Sequence, residues 1–229
     1  MSMVDNLSFS QWTGHQRSAA LTGFKAAIAA TLALVMGSAS ADNLVAGDAE
    51  AGKTKSTVCA ACHGVDGNSL NPVWPSIAGQ HSKYLKDQLA YFKSGDRKNV
   101  LMTAQALGLS DQDMADLAAY FAGQDATARE VSDPSSVAVA ERLYKGGDNE
   151  RGIPACIACH GPTGVGNPGV PYPAVGGQHA TYIASSLREY AADNDNRNNN
   201  ASQKMMVSIA LKLEPAEIDA LASYLQGLK

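Results

Sequence analysis

Two copies of one short motif constrain this chain more than any other feature. Cys59-Ala60-Ala61-Cys62-His63-Gly64 and Cys156-Ile157-Ala158-Cys159-His160-Gly161 together use all 4 cysteines of the 229 residues. C-x-x-C-H is the attachment signature of c-type haem. The reason is geometric: two thiols three positions apart on a helical turn reach the two vinyl groups of one porphyrin, and the adjacent histidine projects under the iron. Other uses of paired cysteines fit less well. Zinc ribbons separate their pairs by roughly 15–20 residues, far less than here. A thioredoxin-like motif needs a βαβ context, and little of this chain reads as strand. A C-x-x-C disulfide closes a tiny loop and gives no role to the histidine that follows. The sequence therefore predicts two covalently attached haem c groups, with thioether bonds from Cys59, Cys62, Cys156 and Cys159.

Setting the motifs in register exposes an internal duplication. Pro75-Ser76-Ile77-Ala78-Gly79-Gln80-His81 matches Pro173-Ala174-Val175-Gly176-Gly177-Gln178-His179. Leu101 to Leu109 matches Met205 to Leu213, and Asp116 to Phe121 matches Ala220 to Leu225. Solenoids need at least three repeats, so two units read as tandem domains. With hydrophobic residues at 45% and charged ones at 17%, the chain can bury a core, but aromatics are only 6%. A haem in each unit supplies the large apolar surface that the missing aromatics do not. A net charge of −4 argues against nucleic acid as a partner.

The first 41 residues read as a secretory signal. Arg17 and Lys25 precede an apolar run from Ala26 to Met36, and Ala39-Ser40-Ala41 forms an A-x-A cleavage site before Asp42. A buried N-terminal helix and an uncut anchor are the competing readings. The expected organisation is a signal peptide over 1–41, an N-terminal domain over 42–123, a linker over 124–132 and a C-terminal domain over 133–229. Export places the mature chain in the periplasm.

Both domains read as all-α. Ser110 and Asp113 suggest a capping box, with Met114, Leu117, Ala118 and Phe121 at helical spacing up to Gly123. Pro215 occupies a first-turn position ahead of Ile218, Leu221, Ala222 and Leu225, with Gly227 as stop. A middle helix is expected over Ser82 to Lys93, with Tyr84, Leu85, Leu89 and Phe92 inward, and its counterpart over Ala180 to Ala191. Asp133-Pro134 opens a further helix that Gly146-Gly147 ends.

The second axial ligand decides what a haem does, because a filled iron moves electrons and an open one binds oxygen or peroxide. Met102 and Met206 occupy equivalent places in the two units, each expected in a loop before the last helix. Paired with His63 and His160, they give His/Met ligation, and the register selects Met206 over its neighbour Met205. Core packing is the ordinary alternative for a methionine. His81 and His179 also repeat and keep bis-histidine ligation open. Pro75 and Pro173 are placed to offer a carbonyl to the axial histidine. Arg97 and Arg197 read as surface arginines with haem propionates as the rival partner, and Asp193 to Asn200 as a solvated loop.

Taken together, the two C-x-x-C-H-G motifs, the P-x-x-x-G-Q segments, the late methionines and the terminal L-A-x-Y-[FL] helices resemble the dihaem cytochrome c4 family across the mature chain. That resemblance implies two class I cytochrome c domains related by a pseudo-twofold, with haem propionates facing each other near the interface. It implies a non-catalytic periplasmic electron carrier between a quinol–cytochrome c reductase and a terminal oxidase, peripherally associated with the inner membrane. By the same match, His63 and Met102 ligate one iron and His160 and Met206 the other. A haem subunit of a dehydrogenase complex and a dihaem peroxidase are the rival functions.

Overall fold

Several helix ends in this chain follow from their capping residues. The computed structural model describes residues 45–192 and 201–228, all within one compact unit. The signal segment 1–41, Arg197 and the Asp193 to Asn200 loop lie outside the described residues. In the first half, α1 (Ala49–Lys55) starts where the Asp48 carboxylate accepts from Glu50 N–H and Ala51 N–H. The motif helix α2 (Ala60–His63) follows, then α3 (Ser82–Ser94), α4 (Val100–Ala106) and α5 (Asp111–Ala122). The second half repeats the series as α6 (Val137–Gly146), α7 (Ile157–His160), α8 (Ala180–Ala191), α9 (Ala201–Ala210) and α10 (Pro215–Gly227). No strand occurs among the described residues, only the isolated bridges Asp148–Ile153 and Asn167–Tyr172.

Several expected boundaries appear as read. The capping box of Ser110 and Asp113 opens α5, proline stands at the first turn of α10, and Gly95 ends α3 in the left-handed conformation. Asp133 caps a short 3₁₀ turn, Pro134–Ser136, which leads into α6. All four stripe residues of α5 and all four of α10 are buried. One expectation is corrected: Met102 and Met206 stand on helices, α4 and α9, and not in loops. The Asn99 side chain accepts from Met102 N–H at 3.0 Å and so nucleates a helix there. The seven-residue α1 was not expected at all.

Within each half the same packing recurs, α5 against α1 and α3, and α10 against α6 and α8. The first crossing is unusually close. A Cβ on Gly52 would sit 2.0 Å from the Asp116 carbonyl oxygen, so only glycine permits this approach. An ionic clasp locks it: Lys55 Nζ lies 2.5 Å from the buried Asp116 carboxylate and 2.6 Å from that of Asp113. Asp116 also accepts from Asp48 N–H at 2.8 Å and from Gln112 Nε2 at 2.7 Å.

Lys55, followed by these two amide donors, holds the Asp116 pKa down at about 2. A carboxylate depressed in the folded state stabilises it above the unfolded value of about 3.9, and that contribution fades as pH falls through the folded value. The protein should therefore lose stability between about pH 4 and pH 2. In acid titration followed by circular dichroism, Asp116→Asn should flatten that decline; an unchanged slope would remove the clasp from the account.

The cores are unequal. Leu85, Leu117, Ala118 and Phe121 form the cluster of the first half. The second half buries a larger one around Leu143, Tyr144, Ile183, Ile218 and Tyr224. The segment 124–132 is tied to both halves: Asn68 Oδ1 accepts from Thr127 N–H at 2.8 Å, and Gln226 Nε2 donates to the Glu130 carbonyl at 2.8 Å.

Candidate haem-binding site

Each motif forms a single helical turn. His63 N–H donates to the Cys59 carbonyl at 2.9 Å, and His160 N–H to that of Cys156 at 2.9 Å. The turn presents both thiols and the imidazole together. Glycine ends it: Gly64 has φ 82°, and a Cβ there would lie 2.4 Å from the Asn68 carbonyl oxygen. Gly161 matches it with φ 75°.

Both imidazoles are oriented from behind. His63 Nδ1 donates to the Pro75 carbonyl at 2.8 Å and His160 Nδ1 to the Pro173 carbonyl at 3.0 Å. Because a carbonyl only accepts, this fixes the proton on Nδ1 and leaves the Nε2 lone pair facing forward. Burial lowers the pKa of both rings, opposed by the proline carbonyl bonds. They are thus held in the neutral form a metal requires. Burial raises the Cys59 thiol and carries that of Cys156 up to about 11.

These groups open into one cavity of about 670 Å³ that runs from the first motif to the second. Cys59, Cys62 and His63 line it from one half, Cys156 and His160 from the other. Met102 and Met206 line it as well, whereas Met205 does not and is 42% exposed. His81 and His179 are buried but line no part of it. His179 Nε2 donates instead to the Ser69 carbonyl at 2.8 Å, across the interface between halves. The donor set of paired thiols, neutral imidazoles and thioethers around an apolar space fits a covalent haem in each half.

Arg97 is corrected from its expected surface position. It is buried, stacks over the Phe92 ring at 4.6 Å, and donates to Gln88 at 2.7 Å and to the Tyr182 hydroxyl at 3.0 Å. Tyr182 belongs to the other half, so Arg97 joins the two. Sequence reasoning also missed Gln80 and Gln178. Gln80 takes the Ala174 N–H (3.0 Å) and donates to the Ala174 carbonyl (2.9 Å). Gln178 does the same with Ser76, at 2.9 and 2.7 Å. This exchange is reciprocal, as in a twofold contact. The repeated Gly-Gln pair was the signal.

The cytochrome c family model matches residues 49–124 and 142–229. The chain is 48% identical over 183 residues to cytochrome c4 of Pseudomonas aeruginosa, across 80% of this chain and 90% of that one. The chain belongs to the cytochrome c4 family. The reduced recombinant cytochrome c4 of Pseudomonas stutzeri superposes with a TM-score of 0.74 at 43% identity, covering 80% of this chain and all of that one. A thiosulfate dehydrogenase electron acceptor from Thiomonas intermedia is 38% identical over 171 residues, 73% of this chain and 76% of that protein. As a cytochrome c4, the chain carries two covalent haem c groups, at Cys59 and Cys62 and at Cys156 and Cys159, and is an electron-transfer protein rather than an enzyme.

Proposed function

We propose that this cytochrome c4 works in the periplasm, carrying electrons from a quinol–cytochrome c reductase to a terminal oxidase, with His63 and Met102 ligating one iron and His160 and Met206 the other. The observation that carries the reading is the single cavity lined by cysteines of both motifs (Cys59, Cys62 and Cys156), both imidazoles and both methionines. When bound, each haem supplies reversible one-electron storage. The chain's own residues keep that storage from changing shape. The Pro75 and Pro173 carbonyls hold the imidazoles, and Met102 and Met206 are fixed by helices rather than by loops. Ligands that do not move leave little reorganisation to oppose transfer.

The domain limits of 42–123 and 133–229, joined by 124–132, fit the repeated helix series. Periplasmic location is supported by the signal-like segment 1–41 and by cysteines that all serve haem attachment. Among the described residues, no helix is long and apolar enough to cross a membrane.

A second reading is favoured by the Thiomonas relative: the chain accepts electrons from a sulfur-oxidising dehydrogenase. Adding purified holoprotein to membranes washed free of small cytochromes separates the two. Quinol-driven oxygen uptake should rise with each addition. No rise, with rapid reduction by a thiosulfate-oxidising dehydrogenase, would transfer the role to the second reading.

A further inference from the structure

The geometry points to Gln80 and Gln178 as crossed positioning residues, each tuning the haem site of the opposite half. The inference rests on the proposed ligation by His63 and His160 and deepens it.

One peptide group carries the connection. The Pro75 carbonyl accepts from His63 Nδ1 at 2.8 Å, and the N–H of that same peptide, on Ser76, donates to Gln178 Oε1 at 2.9 Å. The other half repeats it. The Pro173 carbonyl accepts from His160 at 3.0 Å, and the Ala174 N–H donates to Gln80 Oε1 at 3.0 Å. Each glutamine is anchored a second time through its Nε2, to the Ser76 carbonyl at 2.7 Å and the Ala174 carbonyl at 2.9 Å. Each Oε1 also accepts the N–H of the next residue, His179 or His81, at 3.0 Å.

Hydrogen bonds in series polarise one another. An acceptor on the peptide N–H makes its carbonyl a stronger acceptor, which draws the Nδ1 proton and raises the basicity of the ring. A more basic imidazole favours ferric iron and lowers the potential. Gln178 therefore lowers the potential of the first half, and Gln80 that of the second. An electron's free energy in one domain is set partly by a side chain of the other.

The test is Gln178→Met and Gln80→Met in holoprotein, similar in volume but without hydrogen bonds. NMR redox titration resolves the haem methyl signals of the two halves. Gln178→Met should raise the potential of the first half by up to a tenfold change in equilibrium constant, about 59 mV, and shift the second half less. Gln80→Met should do the reverse. Exchange of the His63 Nδ1 proton should quicken only in the first variant, and that of His160 only in the second.

Shifts confined to the mutated half, equal shifts in both, or none with intact low-spin spectra would overturn the crossed assignment. Loss of the low-spin spectrum in the unmutated parent would instead overturn the ligation itself. Where a methionine variant does not fold, Gln178→Glu serves. It keeps the acceptor and adds charge, so the potential of the first half should fall more than that of the second; an equal or reversed fall refutes the proposal.

Discussion

Replacing Met206 with alanine should remove about half of the methionine–ferric charge-transfer absorbance of the oxidised protein, and Met102→Ala the other half. Met205→Ala should leave the band unchanged, because Met205 is exposed and does not line the cavity that Met206 lines. A thioether favours ferrous iron, so each alanine variant should also lower the potential of its own half. An opened coordination position lets peroxide reach the iron, and peroxide turnover should appear where the parent has none. Full absorbance in Met206→Ala would return the site to its rivals. For the second half His179 is a poor one, since its Nε2 is engaged by the Ser69 carbonyl.

Gly52→Ala is expected to be strongly damaging. The new Cβ would fall 2.0 Å from a backbone oxygen of α5, an atom that cannot swing aside as a side chain does. Helix α1 must then lift from α5, straining the clasp of Lys55 with Asp113 and Asp116. Overpacking of this kind costs about 3 kcal/mol, which lowers the melting temperature of a chain this size by about 6–12 °C. Gly108→Ala is the control: nothing lies within 4 Å of its Cβ and its φ is not positive, so calorimetry should find it neutral or slightly stabilised. Equal effects from the two would mean that α1 can shift freely.

The parts of this fold legible in the sequence are those where a local cause suffices. Ser110 with Asp113, Pro215 and Gly95 set helix ends through their own backbone neighbours, and the stripes on α5 and α10 follow from periodicity alone. The C-x-x-C-H turns belong to the same class. Helix α1 spans under two full turns, too few for a stripe to register, and its close crossing depends on a glycine whose partner lies far along the chain. Met102 stands on a helix because Asn99 caps it, a local signal set in a stretch too short for an apolar stripe. Arg97, Gln80 and Gln178 were opaque for a different reason. The glutamines bond to the other repeat, and Arg97 reaches Tyr182 there besides Phe92 and Gln88 in its own, so neither copy by itself shows the full need for them. His179 and Gln178 both bond across the interface, to the Ser69 carbonyl and the Ser76 N–H.

The disparity between the two cores also bears on how the molecule matures. The second half encloses Leu143, Tyr144, Ile153 and their neighbours in a cluster of twelve buried residues. The first half has four residues at the equivalent place, so more of the burial that offsets the entropy of ordering its helices falls to the porphyrin. In a freshly made chain, Cys59 and Cys62 should thus remain reachable by an attachment enzyme after the second half has begun to close. Porphyrin attachment should therefore add more to the stability of the first half than to that of the second.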